Sequence, residues 1–409
     1  MTMTAKSRVR TKSRRVVTTQ QQRPPTREPA GWRWRAALIV FAGFLAYWNS
    51  FTGPFVFDDV ASVVDNLQIR EWWHVGGLLT SERELPVAGR PLVNASFALN
   101  YALGGLDVRG YHAWNVAVHL VCALLVFALV RLTLQQPALR DRFSSRAPDL
   151  SFAVALLWAL HPLNTEAVDY VTQRTESMMA LFYLATLVAS ARAVHEPSRL
   201  GWPIAAVVLC AAGMACKESM VTAPVMVAIY DRTFVFGSFK EAVARRWRFY
   251  AGLAATWAIL VLLLLAGARI HSAGFSSGVG VWTYLLNQTV MIVRYLHLSI
   301  WPWSLVSNYG WPAPLTLADV LPEAAAVCAL LAATLVAMFR WPSLGFAGCW
   351  LFLTLAPTSS VVPIATEVGA ERRMYLPLVS LIALAVVGGA AVWDLATTER
   401  GASRPSADA

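Results

Sequence analysis

An all-α bundle of membrane-crossing helices is the fold class this sequence predicts, and three observations predict it. Of the 409 residues, 57% are hydrophobic and only 14% charged, whereas a water-soluble domain carries about 25% charged residues. The mean hydropathy is +0.51. Apolar runs of about 18 residues or more recur along the whole length, and each is long enough to cross a bilayer core of about 30 Å. Most of these runs lack the polar face that a soluble helical enzyme would show.

The elements follow in order. Lys6, Arg8, Arg10, Lys12, Arg14, Arg15, Arg23, Arg27, Arg33 and Arg35 precede the first run, with Glu28 the lone acid among them. This basic tail, residues 1–33, is predicted to be disordered and to stay in the cytoplasm, since loops rich in Lys and Arg are retained there. Its charge suits anionic lipid head groups better than nucleic acid. The first run, Trp34 to Phe51, reads as a retained anchor, because no small-x-small cleavage site follows it. A polar loop over residues 52–112 then lies outside the cytoplasm, with Trp72-Trp73 and Leu78-Leu79 suggesting a short surface helix. Further spans are predicted at Ala113–Leu132, Ser151–Leu160, Ser177–Val194, Trp202–Ala215, Val221–Phe236, Phe249–Ala266, Leu317–Phe339, Leu344–Val362 and Leu376–Leu395.

The segment Tyr284–Trp303 carries Asn287, Gln288, Arg294 and His297, and is too polar to face lipid. It is expected to dip into the membrane or line a cavity. If it does not cross, the count is about ten spans and the C-terminus is cytoplasmic; if it crosses, the count is about eleven. The membrane domain is thus residues 34–395, and residues 396–409 form a polar, disordered tail. Five cysteines lie in or beside apolar runs with no C-x-x-C among them, so neither a disulfide framework nor a zinc site is expected.

Under this topology the polar groups gather on the extracytoplasmic side. Asp58 and Asp59 leave the first span side by side, which is costly unless they are solvated or do chemistry. His161, Asn164, Glu166, Asp169, Arg174, Glu176, Lys217, Glu218, Glu371, Arg372 and Arg373 share that side. Nucleotide sugars and ATP are absent there, so a transfer reaction needs a donor delivered through the lipid. A polyprenyl-phosphate sugar fits: its phosphate would sit beside Arg or Lys at the interface, and a carboxylate would take the proton of an attacking hydroxyl. A phosphate leaving group needs charge stabilisation rather than a general acid.

Phe55-Val56-Phe57-Asp58-Asp59, Gly89-Arg90-Pro91-Leu92, His161-Pro162-Leu163-Asn164-Thr165-Glu166-Ala167-Val168, Cys216-Lys217-Glu218, Tyr295-Leu296 with Trp301-Pro302, and Glu371-Arg372-Arg373-Met374-Tyr375-Leu376-Pro377 occur in this order. The ordered set, from about Trp34 to Pro377, resembles the membrane part of the transmembrane and tetratricopeptide-repeat (TMTC-type) O-mannosyltransferases and their bacterial relatives, members of the GT-C superfamily. The resemblance implies a polytopic GT-C-like bundle in a bacterial plasma membrane. It implies transfer of a hexose, mannose first, from polyprenyl phosphate to an extracytoplasmic hydroxyl. Asp58 or Asp59 would be the base, one of them orienting the other. Arg372, Arg373 and Lys217 would bind the donor phosphate. His161, Glu166, Arg174, Glu176, Glu218, Arg90 and Tyr375 would face sugar or acceptor. The sequence stops soon after Leu395 without a tetratricopeptide array, so the acceptor, protein or glycan, stays open.

Plainer roles compete. The aspartates suit a solvated turn or helix cap, and His161 a hydrogen-bonded residue before a proline turn. Glu166 suits a structural pair with Arg174, Lys217-Glu218 a water-facing corner, and Arg372-Arg373 head-group anchors. A multi-pass transporter or flippase of a polyprenyl-linked lipid or other anionic substrate is the alternative function, although transporters place charges near the midplane. No cofactor beyond the lipid-linked sugar is implied. A divalent cation is compatible with the aspartate pair, but two oxygen donors without a supporting cluster argue weakly for one.

Overall fold

The computed structural model describes residues 31–71, 76, 85–267, 274–275 and 278–402. Most of the basic tail, the Trp72-Trp73 and Leu78-Leu79 segment and residues 403–409 lie outside the described residues. Helices and turns make up the described chain, with no strand among them.

The long helices are α1 (Trp32–Ala46), α2 (Pro91–Gly104), α3 (Val108–Leu134), α4 (Ala147–Ala159), α5 (Arg174–His195), α6 (Gly201–Met214) and α7 (Ala223–Tyr230). They continue with α8 (Phe239–Ala255), α9 (Trp257–Gly267), α10 (Val281–Ile300), α11 (Leu321–Arg340) and α12 (Pro342–Leu355). The last are α13 (Pro377–Ala383) and α14 (Gly389–Ala402), joined by the π-turn Leu384–Gly388. Prolines sit in the first turns of α2, α4, α7, α11, α12 and α13. There a missing N–H costs nothing and the fixed φ suits the helix. Five segments are long and apolar enough to cross a membrane: Val108–Leu134, Val171–His195, Phe239–Ala266, Ala318–Arg340 and Pro377–Thr397. Helices α4, α6 and α12 are apolar but shorter.

Two polar faces close the bundle. On one, Arg35 pairs with Asp149 and Arg146 with Asp394, and Arg142 donates to the Ala391 carbonyl. Gln136 meets His195 at 3.1 Å on the same face. This face joins the start of α1 to α14 through α4 and the turn before it. The other face carries residues 53–59, 85–90, 160–173, 215–222 and 356–376. Among the described residues, the legs between the faces include the five long apolar segments, with the shorter α4, α6 and α12 beside them.

Helix α10 is not one of the legs. Tyr284 at its start donates to the Thr358 carbonyl, Gln288 to the Val368 carbonyl, and Tyr295 accepts from the Ala370 N–H. At its end the Ser299 carbonyl meets His161 Nε2 at 3.2 Å. All four partners belong to one face, so the helix lies across that face. Its polar side, Asn287 and Gln288, faces loop backbone rather than lipid, which removes the cost of burying amides in hydrocarbon.

The structure corrects two expected boundaries. The loop 52–112 is not loop throughout: α2 occupies Pro91–Gly104 and α3 begins at Val108. Its first half is stabilised by Asn94 and Asn66, which bond to each other at 3.0 Å in a buried setting. At the other end, helix α14 runs to Ala402, past the expected Leu395.

Packing centres on α3, α4, α5 and α13. His119 stacks on Trp158, ring centroids 5.1 Å apart, and Trp158 donates its indole N–H to the Tyr375 carbonyl at 2.9 Å. Buried aromatic N–H groups need such partners, since lipid and protein interior supply no water. At the α11–α12 contact, Gly345 is required: a Cβ there would collide with the Met338 backbone. Close backbone approach at small residues is how helices bind one another where lipid removes the hydrophobic driving force.

Candidate functional site

A cavity of about 810 Å³ opens on the second face. Asp58, Arg90, Lys217, Glu218, Arg372 and Arg373 line it, together with Thr172, Gln173, Thr358 and Glu367. Its remaining wall is apolar: Leu260, Leu263 and Leu264 of α9, with Val221, Val362 and Ile364. Neighbouring α9 residues Leu262 and Leu265 are exposed, so the apolar wall belongs to a lipid-facing helix.

The two aspartates have different jobs. Asp59 is 1% exposed. One of its carboxylate oxygens accepts from the Thr172 N–H at 2.7 Å and the Thr172 hydroxyl at 2.6 Å; the other accepts from the Val56 N–H at 3.1 Å. Burial raises the Asp59 pKa, and the Thr172 and Val56 bonds oppose that rise. Asp59 therefore pins the turn at residues 56–59 to the segment before α5. Asp58 is exposed; its backbone N–H donates to Tyr170 Oη at 2.8 Å, and its carboxylate has no hydrogen bond among the described residues. Just before it, Phe57 has φ +44°. A bulky side chain in the left-handed region persists only when surroundings enforce it, and such strain gathers at functional sites. The Asp59 clamp is the enforcing contact, and it aims Asp58 into the cavity. Both Asp59 oxygens thus accept hydrogen bonds from protein groups, while the Asp58 carboxylate does not share in that clamp. No group of three His, Cys, Asp or Glu able to hold a metal occurs among the described residues.

The cations form the facing wall. Lys217 is buried against Glu176, and Arg90 reaches Glu218 at 3.1 Å. Burial lowers the Lys217 pKa; Glu176 raises it, while Arg90 and Arg372 lower it again. Three cations are thus close enough to feel one another. Arg372 pairs with Glu166 and Glu367, and Glu166 also accepts from the Arg372 N–H at 2.8 Å. Arg373 bonds to Glu367 at 3.1 Å, the Thr358 carbonyl at 3.0 Å and Tyr284 Oη at 3.2 Å. Burial alone would raise the Glu367 pKa, but Arg372 and then Arg373 outweigh it and hold it at about 2. Tyr170 ties the walls together. Burial and then Asp58 raise its pKa, while Arg372 lowers it, so the aspartate and the late arginine act across one phenol.

Not every expected site residue reaches the cavity. Glu176 and Glu166 stand behind the wall, as partners of Lys217 and Arg372. Glu166 therefore pairs with Arg372, not with Arg174. His161 uses both ring nitrogens: Nδ1 accepts from the Leu163 N–H at 3.2 Å and Nε2 meets the Ser299 carbonyl. It caps a turn and clips α10 to α4. Burial lowers its pKa, opposed by the Ser299 bond, in keeping with a neutral structural imidazole. Tyr375 is fully buried, its hydroxyl 2.8 Å from His119 Nδ1. Arg174 is also fully buried, donating to Asn115 Oδ1 at 2.8 Å, Ser96 Oγ at 3.1 Å and the Tyr111 carbonyl at 3.0 Å. Its guanidinium lies 4.5 Å from the Phe97 ring centroid. All three were expected on the sugar or acceptor side; Arg174 and Tyr375 belong to the core instead, and His161 is a half-buried turn residue. Each sits a few residues from a membrane exit in sequence, but its hydrogen bonds run to protein groups packed behind the cavity wall.

Arg174→Met is accordingly expected to destabilise rather than to alter substrate use. It strands three acceptors, each costing about 1–3 kcal/mol. A lowered melting temperature in detergent with unchanged acceptor KM in the folded fraction supports this. An unchanged melting temperature with a raised acceptor KM returns Arg174 to the site.

Sequence reasoning missed Glu367, the carboxylate that bridges both arginines. Its only sequence signal is its place just before Glu371-Arg372-Arg373. Glu371, the acid adjacent to the arginines, instead accepts from the Val306 N–H at 2.7 Å and the Tyr309 hydroxyl at 2.9 Å.

Comparison with known proteins adds independent support. No family model and no solved structure matches the chain. Among curated proteins, the human protein O-mannosyl-transferase TMTC4 is 30% identical over 224 residues, covering 50% of this chain and 30% of the relative. Mouse protein O-mannosyl-transferase TMTC3 is 30% identical over 207 residues, 47% of this chain and 21% of that one. Protein O-mannosyl-transferase Tmtc3 of Drosophila melanogaster is 30% identical over 221 residues, 47% and 23%. The alignments thus span less than a third of these relatives' own length. Over about half of its sequence, this polytopic helical protein is similar to the TMTC-type protein O-mannosyl-transferases.

Proposed function

We propose that the chain is a GT-C-type glycosyltransferase that moves a hexose from a polyprenyl phosphate to a hydroxyl outside the cytoplasm. Mannose is the favoured sugar, from the printed activity of its relatives. One observation carries the reading: a single cavity combines an unengaged carboxylate, a wall of cations and an apolar flank on a lipid-facing helix. A lipid-linked phosphate matches all three at once. Its chain lies along Leu260, Leu263 and Leu264, and its phosphate meets Lys217, Arg90 and the Arg372–Arg373 pair.

In the reaction, Asp58 takes the proton of the acceptor hydroxyl as that oxygen forms its bond to the anomeric carbon. The anomeric C–O bond to phosphate breaks on the opposite face, and the electron pair leaves with the phosphate oxygen. Its charge is met by groups already fixed in place, which is where electrostatic catalysis has its largest effect. Direct displacement inverts the anomeric centre. The basic face with Arg35, Arg142 and Arg146 is the cytoplasmic one in this reading, which puts the cavity outside.

The test supplies purified protein with radiolabelled polyprenyl-phosphate sugars and an acceptor panel of Ser/Thr peptides and glycans. The expected result is release of polyprenyl phosphate with label appearing on an acceptor, greatest for the mannose donor. Movement of intact donor between leaflets of a proteoliposome, with no label transferred, would replace this reading with the flippase.

A further inference from the structure

A second groove, of about 720 Å³, lies at the opposite end of the bundle between α6 and α8. Its floor is apolar, with Pro203, Ile204, Val207 and Val208 of α6, and Arg245, Arg246, Trp247 and Arg248 form its rim. Helix α8 departs from helical geometry at Arg246, with φ −131° and ψ 20°. Neither Pro nor Gly stands there to explain it. The guanidinium does: it reaches inward to buried Asp231 at 2.6 Å and to the Ser190 carbonyl at 3.3 Å. That anchor bends the helix and leaves the preceding turns lying against the bundle end.

Those turns have an unusual surface. Phe239 and Val243, four apart before the bend, share one helix face, and both they and Trp247 just past the bend are exposed, giving an apolar surface. Lys240, Arg245 and Arg248 flank it. Glu241 neutralises Arg245 at 3.1 Å and Asp231 neutralises Arg246. Arg248 has no ion pair among the described residues; its guanidinium lies 5.5 Å from the Trp247 ring centroid. Ile204 and Val208 on the facing helix are also exposed. Basic residues beside an apolar surface and an indole mark a helix lying in the head-group layer.

We infer that this groove is a binding site for one anionic phospholipid of the leaflet opposite the catalytic cavity. Its phosphate sits between Arg245 and Arg248, and one acyl chain lies over Ile204, Val207 and Val208. The excess of cations over acids at the rim selects anionic over zwitterionic head groups, and the apolar floor selects a lipid over free phosphate. The bound lipid wedges the bent start of α8 against α6.

Native mass spectrometry of the full chain in detergent tests this with dioleoyl phosphatidylglycerol, dioleoyl phosphatidylcholine and inorganic phosphate as probes. The wild type is expected to retain one phosphatidylglycerol in preference to phosphatidylcholine. The exposed double variant R245Q/R248Q is expected to bind phosphatidylglycerol about tenfold more weakly or worse, at about 1 kcal/mol per basic residue. V208W, which fills the floor without touching the core, is expected to weaken it as well at an unchanged melting temperature. Equal retention of the two lipids overturns the inference. So does retention in both variants matching wild type, or displacement of the lipid by millimolar inorganic phosphate.

Discussion

Asp58→Asn is expected to lower glycosyl transfer by about 10²–10⁴-fold, the usual range for removing a positioned general base. Melting temperature and donor KM should change little. The Asp58 side chain is exposed and carries no hydrogen bond among the described residues, so an isosteric amide costs the fold nothing. Asp59→Asn should behave differently. The asparagine oxygen can keep the Thr172 bonds, but its NH₂ then faces the Val56 N–H, donor against donor. That loses one bond and leaves a buried donor unsatisfied, at about 1–3 kcal/mol. The turn holding Phe57 in its strained conformation loosens, and Asp58 loses its aim. Asp59→Asn is therefore expected to lower both stability and kcat, with a smaller catalytic loss than Asp58→Asn. Initial rates with a saturating lipid-linked donor, read beside thermal unfolding, separate the two. Near-normal turnover by Asp58→Asn, with turnover lost and stability intact in Asp59→Asn, would exchange the roles assigned here.

That assignment shows what was legible in the sequence and what was not. Hydropathy and the basic clusters were enough to read a helical membrane bundle, because a bilayer imposes length and composition on whatever crosses it. The polar environment of α10 was also legible, since Asn287 and Gln288 have no place in hydrocarbon and meet loop carbonyls instead. The gathering of Asp58, Lys217 and Arg372 on one side followed from topology, while Arg90 came only with the family resemblance. The choice between neighbours did not. Asp58 and Asp59 are chemically identical in sequence, and only the distant Thr172 makes one a clamp and leaves the other available. His161, Arg174 and Tyr375 read as site residues because polar groups near a membrane exit are rare. Their placement depends on distant partners, Ser299, Asn115 and His119, which packing brings together across the bundle. Ion pairing was equally hidden: Lys217 finds Glu176 on another helix, and Glu367 finds Arg372 and Arg373 across a turn.

The Lys217–Glu176 pair supplies the second large effect, and here a single substitution misleads. Lys217→Met leaves the Glu176 carboxylate buried without its cation, which costs about 3–5 kcal/mol. Much of the protein is expected to unfold or fail to insert, so lost activity in that variant says nothing about the donor. The double variant Lys217→Met/Glu176→Leu removes both charges. Replacing a buried pair by apolar groups of similar size is often neutral in stability or better, and melting temperature is expected to return close to wild type. If Lys217 only holds α5 to the α6 corner, transfer returns with it. If it meets the donor phosphate, the restored fold still lacks a cation where the phosphate charge develops. Losing one such group costs about 10²–10³-fold in rate. The expected outcome is a well-folded double variant with transfer down by about that factor. Its defect should shrink for a donor already lacking the phosphate contact, such as one with an uncharged leaving group. Full transfer by the double variant would reduce Lys217 to a structural residue and shift the phosphate site to Arg90, Arg372 and Arg373.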